Sequence, residues 1–190
     1  SPGPGIPRSV VSRFPLQWID IFVILSPMSN LLVALAQINT AVGDLQGNAD
    51  RIVDAAFRAQ QQGAGLVVFP EMTLCGYPPE DLVLKPHFLR DCRQTVEKTA
   101  RRLPPEQAVL CGLPWTRPGC PRPSNRAVLL QHGEIQAHYD KMVLPNYGVF
   151  DEKRVFEPGE RPLVLQTPAG LIAVQTCEDL WIEDGPARRA

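Results

Sequence analysis

From residue 31 onward, short apolar runs alternate with amphipathic stretches. Residues 31–38, LLVALAQI, are almost continuously apolar, the pattern of a strand covered on both faces. Gly43, Asp44, Gly47 and Asn48 then make a polar loop that should end in a helix N-cap at Asn48. Ile52, Ala55, Ala56 and Ala59 keep the i, i+3, i+4, i+7 spacing of one helical face, and Gly63 stands where that helix should stop. Residues 66–69 read as a second buried strand, which exits through Pro70 and Glu71 into a loop punctuated by Gly76, Pro78 and Pro79. A second helical face follows in Leu89, Cys92, Val96, Ala100 and Leu103, closed by Pro104 and Pro105 ahead of a strand over 108–113. Beyond a proline-rich loop, 126–130 and 135–139 predict a hairpin through QHGE, with Lys141 just past its second arm. The turn TPAG, 167–170, introduces a last short apolar run, 171–174, which delivers Cys177 at its exit. With no internal repeat, the economical architecture is one mixed α/β unit with helices covering the sheet faces.

Residues 1–27 break this pattern. SPGPGIPRSVVSRFP is rich in proline and glycine, and the apolar run after it is interrupted by Asp20. Arg8 and Arg13 imitate the start of a signal peptide, but no A-x-A site follows and the run is too short to span a bilayer. The segment is expected to be a leader or read-through outside the domain, disordered, with Met28 as the natural start and 28–190 as the domain.

Composition adds little beyond a soluble globular class. The 190 residues are 44% hydrophobic and 21% charged, with a net charge of −1, so neither nucleic acid nor a membrane surface is an expected partner. Five cysteines without a C-x-x-C pair point to reduced thiols and a cytoplasmic location rather than a disulfide framework. His87, His132 and His138 lack zinc-ligand spacing, and the last two fit a surface hairpin.

Candidate chemistry gathers at strand exits. Glu71, Lys141 and Cys177 each follow an apolar strand, and α/β folds build sites at such ends. Glu178 and Asp179 directly after the thiol should raise its pKa, so a reactive Cys177 needs a cation from elsewhere in the chain. Together a thiol, an ammonium and a carboxylate suffice for acyl transfer from an amide. Taken singly they have plainer readings: an inert core cysteine, a solvated lysine, and a turn-capping or ion-paired glutamate.

The surrounding words are more specific. VVFPEMTLCGYPPEDL, HYDKMVLPNYGVFDEKRVFEPG and LIAVQTCEDLW resemble, in that order, the glutamate, lysine and cysteine motifs of the nitrilase, or carbon-nitrogen hydrolase, superfamily. Their wording is closest to the glutaminase domains of glutamine-dependent NAD synthetases. The resemblance implies an α-β-β-α sandwich, incomplete at its C-terminal end. It implies Glu71 as general base and acid, Lys141 as electrostatic stabiliser and Cys177 as the nucleophile that forms a thioester with glutamine and releases ammonia. It further implies Glu152 as a supporting acid that orients the lysine, and Tyr147, Tyr77 and Glu178 as substrate-side residues. For the tyrosines and Glu152 the plainer readings are packing with a satisfied hydroxyl and a surface ion pair to Lys153 or Arg154.

L-glutamine is thus the expected small-molecule partner, with homo-oligomers favoured by the superfamily. No metal or organic cofactor is expected for the glutaminase step. ATP and Mg would serve only a synthetase domain, whose S-G-G-x-D-S loop is not in this sequence. Segments that help grip substrate in the family would follow Ala190, so the chain reads as a fragment. Two further readings stay open: an inactive truncated remnant, and a nitrilase-type hydrolase of another small amide.

Overall fold

The computed structural model describes residues 20–25, 30–183, 185 and 186. Most of the expected leader lies outside them. Six of its residues, Asp20–Leu25, form strand β1, paired antiparallel with β2, Asn30–Leu35.

Two strand-helix-strand units follow. Helix α1, Leu45–Gln61, leads to β3, Leu66–Val68, and α2, Pro86–Ala100, leads to β4, Ala108–Trp115. β2, β3 and β4 are mutually parallel, and β5, Ser124–Gln131, and β6, Glu134–Asp140, extend the sheet antiparallel in the order β1-β2-β3-β4-β5-β6. His132 and Gly133, at φ 54° and 81°, form the tight turn between β5 and β6.

Period-two alternation sorts the side chains of the sheet. Ala34, Val67, Val109, Cys111, Val128 and Leu130 face α1 and α2, packing on Ile52, Ala56, Cys92 and Val96. Val33, Leu66, Leu110 and Tyr139 face the other way, onto Val174, Leu163 and Ile172. Those last residues belong to a separate two-stranded sheet, β7, Leu163–Thr167, paired antiparallel with β8, Gly170–Val174. The fold is therefore α/β: a helix layer, a six-stranded mixed sheet and a hairpin layer. Helices cover one face only among the described residues, and the hairpin takes the other. Because both faces are covered, β2 to β4 carry continuous apolar runs rather than a polar-apolar alternation.

The start of α1 differs from expectation. Asp44, not Asn48, is the N-cap, its Oδ1 accepting from the Gly47 N–H at 2.9 Å. Asn48 is buried inside the helix, where its amide is worth more as a bridge. Its Oδ1 accepts from the Ala41 N–H, and its Nδ2 donates to the carbonyls of Ala41 and Leu74. That bridge ties the loop before α1 to the loop that carries Glu71.

Candidate functional site

Glu71 leaves β3 through Phe69 and Pro70 and enters a tight turn in which Met72 has φ 55°. This turn lies against β4 at Gly112. A Cβ on Gly112 would stand 2.5 Å from the Met72 amide nitrogen, so only glycine admits the glutamate loop so close. The Leu74 N–H donates to the Gly112 carbonyl at 3.1 Å and fixes the approach.

Lys141 is the first residue beyond β6, and its side chain is fully buried. Its ammonium lies 2.9 Å from Glu71 Oε1 and 2.9 Å from Glu152, which opens the short helix α3, Glu152–Val155. Burial alone would push the ammonium's pKa down, but the charge and hydrogen bond of Glu71 and those of Glu152 outweigh it and hold Lys141 above its ordinary value. Glu152 is held above the usual carboxylate range, chiefly by burial, with Lys141 opposing and Glu71 adding to the shift. The Tyr77 hydroxyl donates to Glu152 Oε1 at 3.3 Å, and burial first and this carboxylate next push its own pKa up. One buried ammonium thus holds two carboxylates together.

Cys177 follows β8 after Gln175 and Thr176, opens the short 3-10 helix Cys177–Leu180 and sits at φ 50°, a left-handed conformation unusual for a side-chain-bearing residue. It is exposed, unlike Cys75, Cys92 and Cys111, which are buried. Burial pushes the Cys92 and Cys111 thiols up to about 12 and leaves them chemically quiet. The Cys177 thiol is also raised, by partial burial first and then by the charge of Glu71, with Lys141 pulling it down and Glu152 pushing it up. The expected culprits, Glu178 and Asp179, act otherwise. The Glu178 backbone amide favours the thiolate, while the Glu178 carboxylate turns to the Tyr147 hydroxyl at 2.7 Å.

Asp179 points inward as a strut. Fully buried, it accepts from the Tyr139 hydroxyl at 2.7 Å, the Val143 N–H at 2.8 Å, the Met142 N–H at 3.2 Å and the Thr176 N–H at 3.1 Å. It joins the cysteine turn to the chain just after Lys141. Thr176 and Asp179 together form a capping box, a pattern legible in T-C-E-D that sequence reading passed over.

Asn125 was also missed. It lies in β5 opposite Pro114, buried, with Nδ2 2.5 Å from Glu71 Oε1, and its carbonyl accepts the Lys141 N–H at 2.8 Å. Polar Ser124 and Asn125 fall just ahead of the strand expected over 126–130, and no periodic signal marks them as buried. Arg126 is held through a two-pronged pairing with Asp140 at 2.7 and 2.8 Å and lies over the Trp115 ring, whose other neighbouring cation is Arg93.

Glu71, Asn125, Gln175, Thr176 and Cys177 line one cavity of about 230 Å³ between the main sheet and the β7-β8 hairpin. A larger groove of about 680 Å³ runs elsewhere along α1, past Asn39, Arg51 and Asp54, and contains none of the strand-exit residues. The structure therefore brings Glu71, Lys141, Cys177, Glu152 and Tyr77 into one electrostatic cluster, with Tyr147 and Glu178 paired beside it. Such a cluster can move a proton off a thiol and hold developing negative charge next to a buried cation. Among the described residues no group of three or more His, Cys, Asp or Glu could hold a metal ion, and no helix is long and apolar enough to cross a membrane.

Comparison with known proteins identifies the family and the fold. The carbon-nitrogen hydrolase family model matches residues 32–187. Glutamine-dependent NAD(+) synthetases from Thermotoga maritima and Synechocystis sp. are 43% and 39% identical over 157 residues, covering 81% and 80% of this chain. The chain spans only 26% and 28% of those relatives' lengths. Among solved structures, the NAD+ synthetase of Acinetobacter baumannii in complex with ADP superposes with a TM-score of 0.77 at 32% identity, over 83% of this chain and 29% of that one. An amidase from Nesterenkonia sp. gives 0.67 at 33%, over 84% and 59%. A mutant of that amidase carries the acetamide moiety of fluoroacetamide covalently added at its active-site cysteine.

Proposed function

Because this chain belongs to the carbon-nitrogen hydrolase family, we propose that its cavity hydrolyses the side-chain amide of L-glutamine, as the glutaminase portion of a glutamine-dependent NAD synthetase. The observation that carries the reading is the convergence of Glu71 and Cys177 on one cavity, with the buried Lys141 ammonium held against Glu71.

Cys177 rests as a neutral thiol, since its pKa is raised, so attack needs a base. Glu71 takes the thiol proton as sulfur bonds to the amide carbon. The carbonyl oxygen gathers negative charge, which the Lys141 ammonium and a backbone N–H of the cysteine turn offset. As the C–N bond breaks, Glu71 returns the proton to nitrogen and ammonia leaves. Glu71 then removes a proton from water, whose oxygen attacks the glutamyl thioester; sulfur departs, regains a proton, and glutamate is released. Glu152, also 2.9 Å from the ammonium, helps to hold Lys141 in place. The Glu178 carboxylate and the Tyr147 hydroxyl, 2.7 Å apart, would receive the polar α-carbon end of the substrate, while the Tyr77 hydroxyl supports Glu152. This chemistry calls on no metal or organic cofactor, whereas ATP and Mg would serve a synthetase domain acting on the ammonia.

A second reading, hydrolysis of a simpler small amide, is favoured by the likeness to the Nesterenkonia amidase, of which this chain covers a larger share. Ammonia release separates the two. Activity on L-glutamine that exceeds activity on propionamide, with a glutamine-like diazoketone adding mass only to the Cys177 peptide, supports the glutaminase. Propionamide turnover without glutamine turnover overturns it in favour of the simpler amidase, and soluble protein inert to every amide and to the diazoketone marks a remnant. Cys177→Ala is the control.

A further inference from the structure

The two hydrogen bonds to Glu71 fall on the same oxygen. Asn125 Nδ2 lies 2.5 Å and Lys141 Nζ 2.9 Å from Oε1, and among the described residues no donor is bound to Oε2. Asn125 is buried in β5, so its amide is not free to swing, and its own carbonyl holds the Lys141 N–H. One residue therefore grips the side chain of Glu71 and the backbone of Lys141 at once. A carboxylate held by one oxygen against two donors has a fixed plane, and its other oxygen keeps its lone pairs for transfer.

Resting on the reading of Glu71 as the proton carrier, the geometry points to Asn125 as a positioning residue: with Lys141 it anchors Glu71 through Oε1, so that Oε2 alone shuttles the proton among the Cys177 thiol, the departing ammonia and the hydrolytic water. The two oxygens have separate duties. Lys141 by itself could not impose this, because it is shared with Glu152, and an ammonium is a rotatable donor that tolerates many carboxylate orientations. The planar amide of Asn125 supplies the missing direction.

The ionisable groups around Glu71 are Lys141 beyond β6, Glu152 on α3, Cys177 beyond β8, Tyr77 in its own loop, and Arg126 on β5, which is neutralised by Asp140. Asn125 is the neutral member of this set. Removing it changes no formal charge but takes away a hydrogen-bond donor to the Glu71 carboxylate.

Steady-state hydrolysis of L-glutamine and propionamide across pH, using the full chain and its Asn125→Ala, Asn125→Asp and Glu71→Gln variants, tests the assignment. Asn125→Ala is expected to lower kcat roughly ten- to hundredfold with little change in KM, since misplacement of a reacting group by a fraction of an ångström has effects of that order. Its acid limb should move to higher pH, and that of Asn125→Asp, with a new carboxylate beside Glu71, further still. Circular dichroism and thermal melting establish that the variants are folded. A folded Asn125→Ala enzyme with unchanged kcat and acid limb overturns the proposal, as does a kcat loss with an unmoved limb, which a merely structural asparagine would give. Glu71→Gln distinguishes the underlying reading: it should lose at least about a hundredfold. If it stays active, or if the wild-type chain turns over neither amide, Glu71 is not the proton carrier here and the inference falls with it.

Discussion

Lys141 carries the heaviest electrostatic duty of any single residue, since its ammonium is the cation within hydrogen-bond reach of both Glu71 and Glu152. Removing one member of a buried charge cluster costs more than the cluster contributes, because the remaining charges stay buried without compensation. Lys141→Ala should therefore lower unfolding stability by about 3–5 kcal/mol, read from urea titration, and cannot serve as a fold-neutral control. Glu152→Gln keeps an acceptor for the lysine while removing one negative charge that raises the Cys177 thiol. Its carbamidomethylation by iodoacetamide should proceed faster between pH 7 and 9 than in wild type, and its rate–pH midpoint should fall towards the ordinary thiol value. An unchanged midpoint would mean that Glu152 does not act on the thiol. The cation that Cys177 was expected to need could be named from sequence. That the thiol would nevertheless rest protonated could not, because Glu71 and Glu152 are distant in sequence and meet it only in the fold.

At the level of elements, the site is a matter of how three strand exits are held relative to one another. Asp179 binds the cysteine turn after β8 to residues 142 and 143 after β6, and Asn125 binds the exits of β3 and β6. Asp179→Ala would leave the Tyr139 hydroxyl and three backbone N–H groups without their acceptor. Each buried group so orphaned costs about 1–3 kcal/mol, so a loss of at least about 3 kcal/mol is expected, read by urea titration, together with slowed labelling of Cys177 by a glutamine-like diazoketone. Gly112→Ala tests the other junction. Its methyl group would press on the Met72 amide, and an overpacking cost of about 1–3 kcal/mol with a drop in kcat should appear. Strand exits were legible because apolar runs end abruptly at Pro70, Asp140 and Gln175. The clamps were not, apart from the capping-box spacing of Thr176 and Asp179, since a polar residue in a strand looks like loop until its register is known.

For the whole molecule, buried charges give stability a pH dependence of mixed sign. Burial works against the charge of Asp140, but hydrogen bonds from Arg126 and Ser124 and the charges of Arg126 and Arg117 hold its carboxyl below the ordinary range. Its contribution is present above the unfolded value of 3.8 and is lost as pH falls through the lower folded value. Glu152, raised in the fold, behaves oppositely: its contribution is complete below the unfolded 4.5 and is lost as pH climbs through the higher folded value. Lys141, also raised, contributes fully below 10.5 and loses its contribution only as pH climbs through the folded value above that. The stability difference between Glu152→Gln and wild type should therefore shift in favour of the variant as pH rises from 4 to 7, by denaturant titration at each pH. A difference independent of pH would show that Glu152 titrates as an ordinary surface carboxylate.

The sequence by itself determined the alternation of strands and helices from β2 to β4 and the β5-β6 hairpin, because local periodicity and turn chemistry suffice for each, whereas Glu71, Lys141 and Cys177 stood out only through the resemblance of the words around them to a known family. β7 escaped it, having no fully buried side chain and no sharp alternation. Tertiary structure alone decided that the second face of the sheet is covered by a hairpin rather than a helix, and that a buried lysine joins two carboxylates. It also decided that Asn125 and Glu71 Oε1 stand 2.5 Å apart across 54 residues of chain. Burial and charge coupling depend on which residues the register brings face to face, and no stretch of the sequence contains that information by itself.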